Sequence, residues 1–248
     1  MRTVEDGGIT HHESLRIYGF AQSAVERTSN RIVEETDWLA EWKKHWKPTS
    51  IGKFIIAPPW ADVDATDEIV VRIEPNMAFG TGTHETTQLC LQAIDEHYPG
   101  GETFFDVGTG TGILAIAAAR IQSESKKAKV KILAADIDAD SVKIARENAI
   151  ANGVGEMIEF VHGTITDDMP AFDFVCANLT ADVILPILPL LMAKARKTLV
   201  LSGILAEQKD IIATELQNLR ISNCKSEISD FRFQIKGEWV AFLVEKTS

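Results

Sequence analysis

The stretch Phe104–Gly112 reads F-F-D-V-G-T-G-T-G, and few folds accommodate it. A short apolar run ends in an acid, Asp106. Three glycines follow at alternate positions, Gly108, Gly110 and Gly112, and then an alanine-rich apolar segment, Ile113–Ile121. This order predicts a buried strand, a tight turn and the start of a helix. Glycine takes the positive φ such a turn demands and lets a ligand approach the backbone closely. The free N–H groups at the start of the helix are expected to give the turn a partial positive end.

From Thr103 onward the same unit recurs. Strands are predicted over Thr103–Val107, Val130–Ala135, Ile158–Val161, Phe172–Ala177 and Lys197–Leu201. Helices are predicted over Ile113–Ile121, Ala139–Ala151, Ala181–Ala193 and Glu207–Leu219. Asn152-Gly153 is a usual helix ending. The last two strands, Glu227–Lys236 and Trp239–Lys246, meet at Gly237-Glu238, a two-residue hairpin signal. Alternating strands and helices imply an α/β fold, with a mostly parallel sheet covered on both faces and an antiparallel hairpin at one edge. Ligands of such sheets bind beyond the carboxyl ends of the strands, where the strand order reverses. Those ends are Asp106–Gly108, Asp136, the loop after Val161, and Asn178.

Upstream, Lys53–Pro58 and Ile69–Ile73 read as short strands, Glu74–Thr87 as a loop rich in glycine and hydroxyls, and Leu89–Tyr98 as an amphipathic helix. Ser14–Trp46 has a helical pattern. Trp38, Trp42 and Trp46 recur every four residues, so they share a face expected to pack on the main domain. The chain thus divides into a short, mainly helical segment, 1–46, and a domain over 47–248.

Composition narrows the partners. A net charge of −11 argues against a nucleic-acid surface and an anionic membrane, and is compatible with a basic protein partner. Cys90, Cys176 and Cys224 lack metal-ligand spacing, so no metal centre is expected. Their odd number points to buried thiols in a reducing, cytoplasmic compartment. The N-terminus has no apolar signal core. The longest apolar run, Val183–Ala193, is too short to span a bilayer and carries Pro186 and Pro189.

Asp136 follows the glycine turn near the ~20-residue spacing at which an acid receives ribose hydroxyls, so the ligand reads as a nucleoside cofactor. A dinucleotide needs G-x-G-x-x-G, and its pyrophosphate would be repelled by Asp106. The spacing here is G-x-G-x-G, and a carboxylate beside an α-amino group is favourable. That points to S-adenosylmethionine, which is cationic at both sulfur and amine. A P-loop is excluded because no Gly-Lys-Ser/Thr follows.

The runs E-P-N-M-A-F-G-T-G-T-H-E-T-T, F-D-V-G-T-G-T-G-I-L-A-I-A-A, A-D-I-D, E-N-A-I-A-N-G-V, A-N-L and L-S-G-I-L together resemble the ribosomal protein L11 methyltransferase family. The resemblance extends from about Asp37 to near the C-terminus, and A-F-G-T-G-T-H-x-T-T is its most specific part. It implies a Rossmann-like class I methyltransferase fold with a seven-stranded sheet. It also implies that Thr87, Gly108, Asp136 and Asn178 touch S-adenosylmethionine, with Asn178 near the transferring methyl. Asp106, Gly110, Gly112 and Ile137 complete the expected cofactor site, with Ile137 against the adenine or in the core. Thr87 could also cap the helix that follows it. Asn178 and the carbonyl of Leu179 are the expected catalytic groups, accepting N–H bonds from the substrate amine. His84 is expected to stabilise its loop rather than act as a base, and Asp138 to cap the helix after it.

The implied substrate is an amino group, a lysine side chain or N-terminal amine, of ribosomal protein L11. The alternatives are a lysine of another protein, or a cofactor-binding module without catalysis. Asn178 and the intact threonine-rich loop speak against the last. The family carries an N-terminal substrate-recognition domain. Residues 1–36 read as helical, so a recognition element that is shortened, replaced or absent is expected here.

Overall fold

A computed structural model of the chain describes residues 47–248, apart from 75–78, 126, 128–129, 223–227 and 247–248. The expected N-terminal helix, with its three tryptophans, and Cys224 lie outside the described residues. In chain order the elements are β1 (Thr49–Ile51), β2 (Phe54–Ala57), β3 (Ile69–Arg72), α1 (Glu85–His97), β4 (Phe104–Val107), α2 (Ile113–Glu124), β5 (Ile132–Asp136) and α3 (Ala139–Ala151). They continue with β6 (Ile158–His162), β7 (Phe172–Asn178), α4 (Ala181–Lys194), β8 (Ala195–Leu205), α5 (Lys209–Ser222), β9 (Ile228–Lys236) and β10 (Trp239–Lys246).

Seven strands form one sheet in the order β6-β5-β4-β7-β8-β10-β9. Strands β4 to β8 pair in parallel, and β10 runs antiparallel to both β8 and β9. This is the expected fold. The order steps outward from β4 through β5 to β6, then resumes on the other side of β4 with β7. A crevice therefore opens beyond the carboxyl ends of β4 and β7.

All four residues of β4 are buried, and their alternation serves both faces of the sheet. Phe104 stacks on Phe174 at 5.2 Å and meets Tyr98 edge-on. Phe105 points the other way and packs against Phe172 at 5.0 Å. Burying each such ring is worth about 1.5–3 kcal/mol. Cys90 and Cys176 are buried free thiols. Helix α4 carries Pro186 and Pro189 internally. Each removes a helix hydrogen bond, at a cost of ~3 kcal/mol in an isolated helix. Ile184, Leu188 and Leu191, all fully buried, hold the segment helical. Among the described residues no helix is long and apolar enough to cross a membrane.

Two differences from the predicted elements matter. Helix α1 starts at Glu85, earlier than predicted, because His84 rather than Thr87 is its N-cap. Thr86 and Thr87 are poor helix formers, yet both are fully buried in its first turn. Strand β8 extends to Leu205, because antiparallel pairing to Trp239 and Val240 carries it past Ser202-Gly203. A separate three-stranded sheet, β1-β2-β3, packs on α2's side of the main sheet. Asn152, at the end of α3, holds both the N–H and the carbonyl of Arg72, at 2.8 and 2.6 Å.

Candidate functional site

A cavity of about 450 Å³ lies in the crevice at the strand carboxyl ends. Gly108 and Gly110, Asp136 and Ile137, Gly163 and Thr164, and Asn178 and Leu179 all line it. The four strand ends named from the sequence thus meet on one wall.

The glycine turn is locked from beneath. Gly108 N–H and Thr109 N–H donate to the Ala135 carbonyl at 2.9 and 3.0 Å, and Gly110 N–H donates to Asp136 Oδ2 at 2.9 Å. Thr111 N–H donates to the Phe79 carbonyl at 3.0 Å, and Gly112 N–H to Thr109 O at 2.8 Å. The turn's own five N–H groups are thus spent within the protein, and of the first N–H groups of α2 that of Ala115 goes to Asp106 Oδ2. The turn itself therefore offers an anion none of its own N–H donors. Close approach is what the turn provides. At Gly110, where φ is +55°, a Cβ would overlap the Phe79 carbonyl of the threonine-rich loop.

Asp136 joins the turn to the next strand. Its Oδ1 accepts from Asp138 N–H at 3.0 Å, and Asp138 in turn caps α3. A carboxylate has about four acceptor positions, so capacity remains for a ligand's hydroxyls. Ile137 is 76% exposed and lies on the cavity wall, so it is not a core residue. His162 Nε2 sits 3.0 Å from the Ile137 carbonyl and braces this corner.

Asn178 ends β7. Its Nδ2 donates to Thr87 Oγ1 at 3.5 Å, which leaves Oδ1 buried with no partner among the described residues. His84 caps α1 through Nδ1, which accepts from Thr86 N–H at 3.4 Å and lies 2.8 Å from Thr86 Oγ1. Phe79 and Trp239 meet its ring edge-on at 5.3 and 4.9 Å. Through these contacts His84 braces its loop at the edge of the cavity, which it also lines.

Thr87, Asp106 and Gly112 lie behind the wall, not on it. Asp106 is fully buried. Its Oδ2 accepts from Thr109 Oγ1 at 2.7 Å and from Ala115 N–H at 3.2 Å, and Oδ1 has no partner among the described residues. Burial pushes its carboxyl up to about 7 against these two hydrogen bonds, and the Asp136 charge adds to the rise. Trp239 and Gly203 also line the cavity and were not singled out in the sequence. They reach it from the antiparallel edge of the sheet, where the βα pattern gives no signal.

A reversing parallel sheet with an antiparallel hairpin, a donor-free glycine turn and a strand-end acid define a Rossmann-like class I methyltransferase domain. The family model described as "Ribosomal protein L11 methyltransferase (PrmA)" matches residues 9–247. The ribosomal protein L11 methyltransferase of Caldicellulosiruptor bescii is 37% identical over 217 residues, covering 87% of this chain and 67% of that protein. The one from Desulforamulus reducens is 35% identical over 235 residues, covering 92% and 71%. The crystal structure of the ribosomal protein L11 methylase of Lactobacillus delbrueckii subsp. bulgaricus superposes with a TM-score of 0.66 at 30% identity, covering 79% of this chain and 96% of that one. The chain belongs to the ribosomal protein L11 methyltransferase family, whose members use S-adenosylmethionine as methyl donor.

The residues present fit that cofactor. The volume lies within the ~300–1,000 Å³ of small-molecule sites. Cβ atoms at Gly108 or Gly110 would overlap neighbouring groups, so the wall there is bare backbone. The partnerless Asn178 Oδ1 is an acceptor awaiting a donor.

Proposed function

We propose that this protein transfers methyl groups to amino groups of ribosomal protein L11, a lysine side chain or the N-terminal amine, in the cytoplasm. S-adenosylmethionine supplies a methyl on a cationic sulfur from which an amine can displace it. Gly108, on the cavity wall, lies against the cofactor's amino-acid end. Asp136 receives the ribose hydroxyls, and Ile137 packs on the adenine. Asp106, Gly112 and Thr87 act from behind the wall. The first two fix the turn and the start of α2, and Thr87 fixes the Asn178 amide. Residues 47–248 carry the chemistry. The net charge of −11 suits a basic protein partner rather than a nucleic acid.

The observation that carries this reading is the buried, partnerless Oδ1 of Asn178 on the cavity wall. The attacking amine must be neutral. For a lysine of ordinary pKa ~10.4, neutrality at pH 7 costs ~4–5 kcal/mol. Desolvation in the cavity disfavours the ammonium, and alignment of the reacting atoms lowers the barrier further. Asn178 Oδ1 and the Leu179 carbonyl each accept one N–H, which aims the lone pair. The amine forms its N–C bond as the C–S bond breaks, the bonding pair stays on sulfur, and the new ammonium releases a proton to water. No strong base is needed.

Asn178→Ala is expected to lower kcat by ~100-fold or more, as for other preorganised hydrogen-bonding groups. The dissociation constant for the cofactor should stay within about threefold. Radiolabelled methyl transfer to isolated L11 measures the first and calorimetry the second. Wild-type turnover in the variant overturns the assignment.

A further inference from the structure

Gly203 sits inside the eleven-residue strand β8 with φ at +84°, a conformation that side-chain-bearing residues avoid. Its position coincides with an irregularity in the sheet. Leu201 pairs with Phe242 and Ile204 with Val240. Ser202 and Gly203 on β8 therefore face the single residue Ala241 on β10, which is a β-bulge with a left-handed glycine. Such bulges re-aim a strand where a site requires it.

The bulge is aimed at Leu179. Ser202 pairs with Asn178 across the β7–β8 ladder, and its carbonyl accepts Leu179 N–H at 3.0 Å. Ser202 Oγ, fully buried, donates to the Thr86 carbonyl at 3.2 Å and ties the strand to the first turn of α1. A Cβ at Gly203 would overlap the Leu179 carbonyl oxygen and come within 2.8 Å of its carbon. On the opposite side, a Cβ at Gly108 would overlap Leu179 Cδ2. Leu179 is thus gripped at three points: its N–H by Ser202, its carbonyl by Gly203 and its side chain by the cofactor turn.

We propose that the Ser202-Gly203 bulge is a positioning element for methyl transfer, setting the direction of the Leu179 carbonyl that accepts the second N–H of the substrate amine. This inference rests on the roles given above to Asn178 and Leu179. A neutral primary amine has two N–H groups and one lone pair. Thr87 fixes the Asn178 amide, so the second acceptor decides where the lone pair points. Only a residue without Cβ leaves the Leu179 carbonyl room there. The contact with Gly108 puts that carbonyl in register with the cofactor turn.

Gly203→Ala should displace the carbonyl. The expected result is a fall in kcat of ~tenfold or more, with KM for L11 and the cofactor dissociation constant both within about threefold of wild type. Ser202→Ala keeps the glycine and its φ and loses only the anchor to Thr86. It covers the case in which Gly203→Ala does not fold, and should lower kcat by about threefold with the same split. Melting temperature and cofactor binding are measured on every variant. A loss of kcat that merely tracks loss of cofactor affinity makes the bulge structural and overturns the proposal. So does wild-type kcat in folded Gly203→Ala, or in Ser202→Ala if Gly203→Ala does not fold. Asn178→Ala is assayed alongside. If it is fully active, the underlying reading fails. If it is slow while the folded bulge variants turn over normally, this inference alone fails.

Discussion

At Asp106 a carboxyl has two good donors and one oxygen with none among the described residues. Burial dominates, and its pKa lies at about 7 in the folded protein against about 3.9 when unfolded. Below pH ~4 both states are protonated and the group is neutral to stability. Between pH 4 and 7 only the unfolded state ionises, so stability falls as pH rises, and above 7 the loss is complete. The full effect is on the order of 4 kcal/mol. Asp106→Asn cannot ionise and should gain on the wild type across pH 4–7, then hold a constant difference. Urea denaturation of the cofactor-free protein from pH 4 to 8 measures this, and a pH-independent difference contradicts it. The same scale shows how unevenly the site was legible. Asp136 and Asn178 end predicted strands, so topology alone put them on the rim. Asp106 carries its acid inward because it alternates with Phe105 and Val107 on a strand buried on both faces.

At the opposite end of the sheet, three elements are latched by one carboxylate. Asp173 at the start of β7 accepts from Thr103 N–H and Thr103 Oγ1 at 3.0 and 2.8 Å, just before β4. Its Oδ1 accepts from Arg196 Nε of β8 at 3.2 Å, with Lys197 at 3.7 Å. Burial works to raise its pKa, but the Arg196 and Thr103 hydrogen bonds outweigh it and hold the carboxyl down at about 2. The latch therefore stabilises above pH ~4 and is lost as pH falls towards 2. Arg196 and Lys197 are nearly half exposed, so screening trims the gain to ~1–2 kcal/mol. Asp173→Ala should destabilise by about that much at pH 7, and the difference should vanish near pH 2. Thermal melts across this range decide it. The cofactor dissociation constant should not move, because the latch is a strand's length from the cavity. The elements themselves were mostly legible. The early start of α1 was not, because buried Thr86 and Thr87 have the composition of a loop.

For the whole molecule, the proposal of a basic protein substrate assigns the net charge of −11 to the encounter rather than to the cavity. The screening length shrinks to ~10 Å at 0.1 M salt. Between ~0.05 and ~0.3 M salt, kcat/KM for L11 should fall several-fold through slower association. Affinity for the cofactor, held in a small cavity by short contacts, should change little. Steady-state kinetics and calorimetry over one salt series test both halves. Equal salt dependence in the two would place the electrostatics at the cofactor.

The chain's periodicity determined the parallel sheet, the glycine turn and the rim of strand ends. These follow from local rules: alternation, helix spacing and the φ that only glycine tolerates. The tertiary structure decided which groups remain available. Whether the turn's N–H groups are free, whether Asp106 faces ligand or core, and why Gly203 is a glycine all depend on residues distant in sequence. Ala135, Phe79, Leu179 and the β10 strand occupy those donors and spaces, and only their packing reveals it.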